Sequence, residues 1–148
     1  MIIAIGNDHH GFEQKEIIKE QFSISGQIIE WNDVGSFSRE RVDYPHYAIE
    51  VARAVQNGQA ECGILLCGTG VGMSVAANRF NNIYAALVWT EELACKSKED
   101  DNANILVFPS DYVKNEHVVS MVRSWLFAKF KEGRYRQRLD TIDALKGA

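Results

Sequence analysis

The chain has 148 residues, 46% of them hydrophobic, with 20 acidic side chains against 16 Lys and Arg and a formal net charge of −4. That is enough chain for one domain with a substantial core, and the acidic balance gives no support to nucleic-acid binding through a general basic field. No apolar stretch approaches the roughly 20 residues that span a bilayer, and three cysteines without CxxC spacing argue for free thiols in a reducing cytoplasm.

The opening segment MIIAIGNDHH has no basic region and no cleavable apolar stretch, so Met1 to Gly6 reads as a first strand rather than a signal. A helical pattern follows from Phe12 to Phe22 through Phe12, Ile17, Ile18 and Phe22, and Ile28 to Trp31 reads as a second strand. After a polar loop, Ala48, Val51, Ala52 and Val55 repeat helical spacing within Tyr47 to Val55. Cys62 to Cys67 (CGILLC) is nearly all apolar, as expected of a strand covered on both faces. A glycine loop then leads into a helix from Val71 to Asn78, a strand at Tyr84 to Val88, a helix from Glu91 to Asp101 and a fifth strand at Ile105 to Phe108. Two helices close the chain, around Glu116 to Phe130 and Tyr135 to Leu145, separated by Gly133. With no repeat, linker or low-complexity tract, residues 1–148 are expected to form one domain. Alternating strands and helices imply parallel pairing with right-handed crossovers. The predicted fold is α/β and doubly wound, a Rossmann-like five-stranded parallel sheet sandwiched by helices with a C-terminal helical tail.

Such sheets bind ligands beyond the carboxyl ends of their strands, near a topological switch point. This directs attention to Asn7-Asp8-His9-His10-Gly11 after the first strand and Cys67-Gly68-Thr69-Gly70-Val71-Gly72 after the third. The second loop lacks the Gly-Lys-Ser/Thr ending of a nucleotide phosphate loop. It also lacks the GxGxxG spacing, first-strand position and downstream acidic residue of a dinucleotide fingerprint. Its alternate glycines permit close backbone approach, and its amides form a nest that stabilises anions. Cys67 ends the strand beside that nest, a setting that lowers a thiol pKa. The same position also suits a small hydrophobe filling a strand end. Cys62 and Cys95 have no such loop and read as packing residues. No cluster has metal-ligand spacing: His9 and His10 are adjacent, and no carboxylate or cysteine completes a site by local spacing.

Five segments together are distinctive: Asp8-His9; Asp43-Tyr44-Pro45-His46-Tyr47; Cys67-Gly68-Thr69-Gly70-Val71-Gly72 with Ala76-Ala77-Asn78; Asn102-Ala103-Asn104; and Gly133-Arg134 with Arg138. Through them the chain resembles, over nearly its whole length, the ribose-5-phosphate isomerase type B family, whose wider group includes the galactose-6-phosphate isomerase subunits. The resemblance implies a cytoplasmic enzyme of carbohydrate metabolism in the pentose phosphate pathway. It also implies a homodimer or homotetramer with active sites shared between subunits, acting on a small sugar phosphate without nucleic-acid or membrane partners. Reversible aldose–ketose conversion would run through an enediolate without metal or cofactor. In that resemblance Cys67 removes the C2 proton and returns it at C1, a task for a base poised near working pH. Thr69 and the amides of Gly68, Gly70, Val71 and Gly72 hold the developing oxyanion, on the order of 3 kcal/mol per donor. Asp8 handles sugar hydroxyls and ring opening, His9 lies near the phosphate, and Tyr44 lines the pocket or simply packs. Arg134 and Arg138, four apart on one face of a helical tail, match phosphate-binding arginines donated by the neighbouring subunit. Without the resemblance they read as an exposed basic helix.

Four positions depart from the family. Asp100 stands where a histidine usually opens the sugar ring, and Asp101 stands where an asparagine is usual; both are retained as site residues, Asp100 catalytic and Asp101 substrate-binding. Asp111 stands where an arginine commonly assists with phosphate, so its side chain is expected to point away, or the phosphate to rely on the other cations, or the substrate to differ. His10, an extra imidazole where the family often has a small or apolar residue, is a candidate to take over ring opening. The leading expectation is interconversion of ribose 5-phosphate and ribulose 5-phosphate. The alternatives are the same chemistry on a hexose 6-phosphate such as allose or galactose 6-phosphate, and a non-catalytic sugar-phosphate-binding relative.

Overall fold

The computed structural model describes residues 1–145. Five strands, β1 (Ile2–Asn7), β2 (Glu30–Gly35), β3 (Cys62–Cys67), β4 (Ala85–Leu87) and β5 (Ile105–Pro109), form one sheet in the order β2-β1-β3-β5-β4. Every pairing is parallel. Six helices connect or follow them: α1 (Phe12–Gln21), α2 (Pro45–Gln56), α3 (Val71–Ala77), α4 (Glu91–Asp101), α5 (Val118–Phe127) and α6 (Arg134–Asp143). The doubly wound α/β fold expected of the sequence is the fold observed. Among the described residues no helix is long and apolar enough to cross a membrane.

The strands sort their side chains by the two-residue period of extended chain. Ile3, Ile5, Ile64, Leu66, Leu106 and Phe108 face one layer, where Ile18 of α1, Ala94 of α4 and Val118, Met121, Val122 and Trp125 of α5 pack against them. Ala4, Leu65, Cys67, Ile105 and Val107 face the other, against Ala48, Val51 and Ala52 of α2 and Met73 and Ala77 of α3. Cys67 therefore projects toward the α2/α3 layer, while Cys62 packs into the opposite one. Trp125 is 1% exposed and its Nε1 donates to the Ala103 carbonyl at 2.9 Å, so the largest core side chain also satisfies its one polar group.

The second strand is the clearest difference from expectation. It runs from Glu30 to Gly35 rather than over Ile28 to Trp31, and Ile28 is 87% exposed. β2 is an edge strand paired only with β1, so its sequence carries the polar Asn32-Asp33 that reads as loop. The Asp33 carboxylate is accounted for by two lysines of α1: Lys15 Nζ donates to Oδ1 at 3.0 Å and Lys19 Nζ to Oδ2 at 2.7 Å. Lys15 is fully buried, and its ammonium also donates to the Ser36 carbonyl. Burial pushes the Lys15 pKa down against the raising effect of Asp33. Elsewhere the differences are single turns: α2 begins at Pro45, which suits a first helical position, and α5 ends at Phe127 rather than Phe130. The C-terminal helix begins at Arg134, one residue before the expected Tyr135.

Candidate active site

The strand order reverses between β1 and β3: the chain leaves β1 toward β2, then returns to place β3 on β1's other side. Crevices open at the carboxyl ends of strands at such switch points. The Asp8 amide donates to the Leu66 carbonyl at 3.0 Å and joins the two strand ends. A 3-10 turn (His9–Gly11) follows β1, capped by the Asp8 carboxylate, whose Oδ1 accepts from the His10 amide at 2.9 Å and the Gly11 amide at 3.3 Å. This fits the preference of Asp for a helical N-cap. Asn7, fully buried, donates from Nδ2 to the Asp8 carbonyl and to Ser36 Oγ, tying the turn to the loop after β2. Sequence reading gave Asn7 no separate role; only its burial shows it to be a support.

Cys67 ends β3, paired in register with Pro109 at the end of β5. It is 4% exposed, and its sulfur accepts from the Gly70 amide at 3.1 Å. Gly70 adopts φ 74°, a left-handed conformation in which an added Cβ would also lie 2.3 Å from Leu87 Cδ1. Burial pushes the Cys67 thiol pKa up and the Asp8 charge adds to the rise, while hydrogen bonds from the amides of Met73, Gly70 and Thr69 oppose it. The sequence expectation of a lowered thiol pKa is thus corrected in direction: the amides converge as expected, but desolvation of the sulfur outweighs them. Thr69 is exposed, its Oγ1 accepting from the Val71 amide at 3.3 Å. Tyr44 lies directly on the loop, since a Cβ on Gly72 would sit 2.4 Å from Tyr44 Cζ. A cleft of about 320 Å³ borders the loop, lined by Thr69, Leu87, Trp89, Pro109 and Tyr112.

Asp111 does not point away. Its amide donates to the Gly68 carbonyl at 3.0 Å, and a Cβ on Gly68 would meet Asp111 Oδ2 at 2.8 Å and His10 Cγ at 3.3 Å. His10 Nδ1 and Asp111 Oδ1 are 3.1 Å apart, and the His9 and His10 ring centroids are 4.4 Å apart. His9 Nδ1 accepts from the Val42 amide at 3.4 Å. One side-chain atom each from Asp8, His9 and His10 falls within 4.8 Å of the others, a grouping close enough for a metal ion. The expectation that local spacing gathers no such cluster is corrected here, because the 3-10 turn brings three consecutive side chains together. Asp8 Oδ1 and His10 Nδ1 are already engaged by protein groups.

The other sequence-predicted residues lie at the opposite edge of the sheet. α4 runs back from the carboxyl end of β4, so Asp100 and Asp101 come just before β5 begins at Ile105, whereas Cys67 is level with Pro109. Four residues of strand span about 13 Å, so within one chain these groups do not meet Cys67. Asp100 Oδ1 accepts from Lys131 Nζ at 2.7 Å, and that hydrogen bond holds its carboxyl below the usual range. Arg134, Arg138 and Lys131 all stand about 5 Å from the centre of the Tyr135 ring, Arg134 also donating to the Tyr135 hydroxyl at 3.2 Å. Three cations thus gather around one aromatic ring, with Asp100 alongside. Asp101 lines a neighbouring groove with Tyr84, Ala103 and Leu139.

The family model described as Ribose/Galactose Isomerase matches residues 3–142. Ribose-5-phosphate isomerase B of Escherichia coli (strain K12) is 42% identical over 145 residues, covering 97% of this chain and 95% of that protein. Among solved structures, a ribose 5-phosphate isomerase from Thermotoga maritima superposes with a TM-score of 0.91 at 42% identity, covering 97% of this chain and 98% of that one. Ribose-5-phosphate isomerase B from Mycoplasma genitalium, solved with bound ribulose-5-phosphate, gives a TM-score of 0.89 at 36% identity, covering 97% and 94%.

Proposed function

The chain belongs to the Ribose/Galactose Isomerase family, and from that premise we propose that it interconverts ribose 5-phosphate and ribulose 5-phosphate. The observation that carries the reading is Cys67, held at the switch-point crevice with its sulfur on the Gly70 amide and with carboxylate and imidazole groups across the loop.

The chemistry moves two protons. Cys67 as thiolate takes the C2 proton of the open aldose, leaving an enediolate whose negative oxygen is met by the amides of the Gly68–Gly72 loop and by Thr69. Preorganised donors count most where charge develops. The thiol then returns a proton at C1, while a second proton passes from O2 to O1, so aldehyde becomes alcohol and alcohol becomes ketone. Asp8, fixed by two amides, holds sugar hydroxyls, and Tyr44 closes the pocket over Gly72. No coenzyme or metal enters this scheme.

The cationic cluster of Lys131, Arg134 and Arg138 suits a phosphate, and guanidinium forks match phosphate oxygens. Because it lies at the far edge of its own chain, the reading requires a second copy to bring it to Cys67. We therefore place the active site between two protomers of a cytoplasmic homodimer, each lending the other its arginines and the Asp100–Asp101 end of α4.

The test is turnover of ribose 5-phosphate and a panel of hexose 6-phosphates by purified protein and by Cys67→Ala. Ribose 5-phosphate should be the preferred aldose, and Cys67→Ala should lose roughly a thousandfold in kcat while still binding it. Equal turnover by both proteins removes Cys67 from the mechanism, and preference for a hexose 6-phosphate replaces the substrate while keeping the reaction.

A further inference from the structure

Ribose 5-phosphate closes a five-membered ring through O4, so an aldehyde must be released before any C2 proton can be taken. Ring opening transfers one proton: the C1 hydroxyl loses it, the C1–O4 bond breaks as C1=O1 forms, and O4 receives it. A group that accepts and then donates at neutral pH suits this step, and imidazole is the side chain whose ordinary pKa lies there.

We propose that His10, oriented by Asp111, is the acid–base group that opens the sugar ring. The proposal rests on the isomerase reading above and names a catalytic residue for it. Three features of the structure support it. His10 Nδ1 faces Asp111 Oδ1 at 3.1 Å, which leaves Nε2 as the free ring nitrogen. A carboxylate on Nδ1 fixes the tautomer and stabilises the imidazolium that forms when Nε2 takes a proton. The pair lies against Gly68, the residue that follows Cys67, and both side chains remain open to solvent, at 43% and 49% exposure. The remaining candidates are otherwise engaged: Asp8 Oδ1 accepts two amides, His9 Nδ1 accepts the Val42 amide, and Asp100 is held by Lys131. In the proposed step Nε2 takes the O1 proton and delivers it to O4, so the imidazole finishes as it began. His10 is the catalytic residue and Asp111 its positioning residue.

Ribulose 5-phosphate separates this step from proton transfer at carbon. Its ketone would need O5 to close a furanose ring, and O5 carries the phosphate, so it stays open. His10→Asn should lower kcat on ribose 5-phosphate about a hundredfold, and the rate should level off as more variant is added, because spontaneous ring opening becomes limiting. The same variant should exchange the C1 hydrogen of ribulose 5-phosphate with D2O within about threefold of wild type, which also certifies its fold. Asp111→Asn should show the same split at roughly tenfold. Equal loss of both activities, or loss of neither, overturns the assignment. If wild-type protein neither isomerises nor exchanges either pentose phosphate, the isomerase reading itself has failed. If exchange is intact and only the His10 split is missing, the ring-opening role alone is lost.

Discussion

At the carboxyl edge of the sheet Asp8 is buried and its carboxylate is fastened by two backbone amides, while at the amino edge Asp100 is half-buried and paired with a lysine side chain. The contrast extends to the neighbours. Around Cys67 the partners are amides of a short loop, two imidazoles and a carboxylate, placed by strand ends and a capped turn. Around Asp100 they are Lys131, Arg134 and Arg138, long side chains resting on Tyr135. Backbone-fixed groups in a partly dry crevice can meet a reacting atom with little reorganisation. Exposed cations in water attract anions only weakly until another surface excludes solvent from them. One edge is therefore suited to chemistry and the other to recognition, and the proposed dimer joins the two.

The strongest way to break that division is to mix two crippled proteins. Cys67→Ala retains the recognition edge, and a double Arg134→Ala, Arg138→Ala variant retains the reactive one. Each homodimer should be nearly inactive. Random reassociation makes half the dimers mixed, each with one intact site, so activity should return to roughly a quarter of wild type. Activity no greater than the sum of the parents would show that the two edges do not combine across subunits.

Next in size is Arg138→Ala alone. One charge-assisted contact to phosphate is worth about 1.5–3 kcal/mol, so KM for ribose 5-phosphate should rise between about tenfold and a hundredfold, with kcat nearly unchanged. Unphosphorylated ribose, assayed in parallel, should show no such change. An equal effect on both sugars refutes a phosphate role and returns the tail to an exposed basic helix.

A smaller effect concerns pH. The Cys67 thiol lies above its ordinary value of 9.0 because burial disfavours the anion, so at neutral pH the base is mostly protonated and kcat/KM should climb as pH rises, by up to about tenfold per unit. Cations brought by a partner favour the thiolate. The rising limb of the double arginine variant should therefore lie at higher pH than that of wild type. A flat profile removes the thiol as base, and coincident limbs separate it from the arginines.

How much of this was legible in the sequence depends on how far apart the interacting residues lie. β3 at Cys62–Cys67 and α4 at Glu91–Asp101 have the bounds that apolar run and amphipathic pattern predict, because neighbours in sequence decide them. The bounds of β2 are not legible in the sequence, because its polarity is explained only by Lys15 and Lys19 reaching across from α1. The glycine loop was legible as an anion nest, yet the thiol's direction of shift was not, since burial is set by the whole α2/α3 layer. Asp111 and His10 were each visible as departures from the family. Their pairing, across 101 positions, appears only in space. The same is true of Asp100, whose partner Lys131 lies 31 positions on.

That last pair yields the smallest predicted effect and the sharpest question about the recognition edge. The family resemblance implies a catalytic Asp100, because a ring-opening histidine usually occupies its place. Its hydrogen bond to Lys131 keeps the carboxyl below its usual pKa, so at neutral pH it is ionised and has no proton to deliver. Its negative charge instead offsets one of the three cations beside it. Asp100→Asn should therefore leave kcat within about threefold and lower KM for ribose 5-phosphate slightly, about twofold, as the cluster becomes more positive. Steady-state kinetics at two ionic strengths would check it, the KM gain shrinking as salt screens the charges. A hundredfold fall in kcat would instead make Asp100 an acid–base group supplied across the subunit boundary, and would take the ring-opening role away from His10.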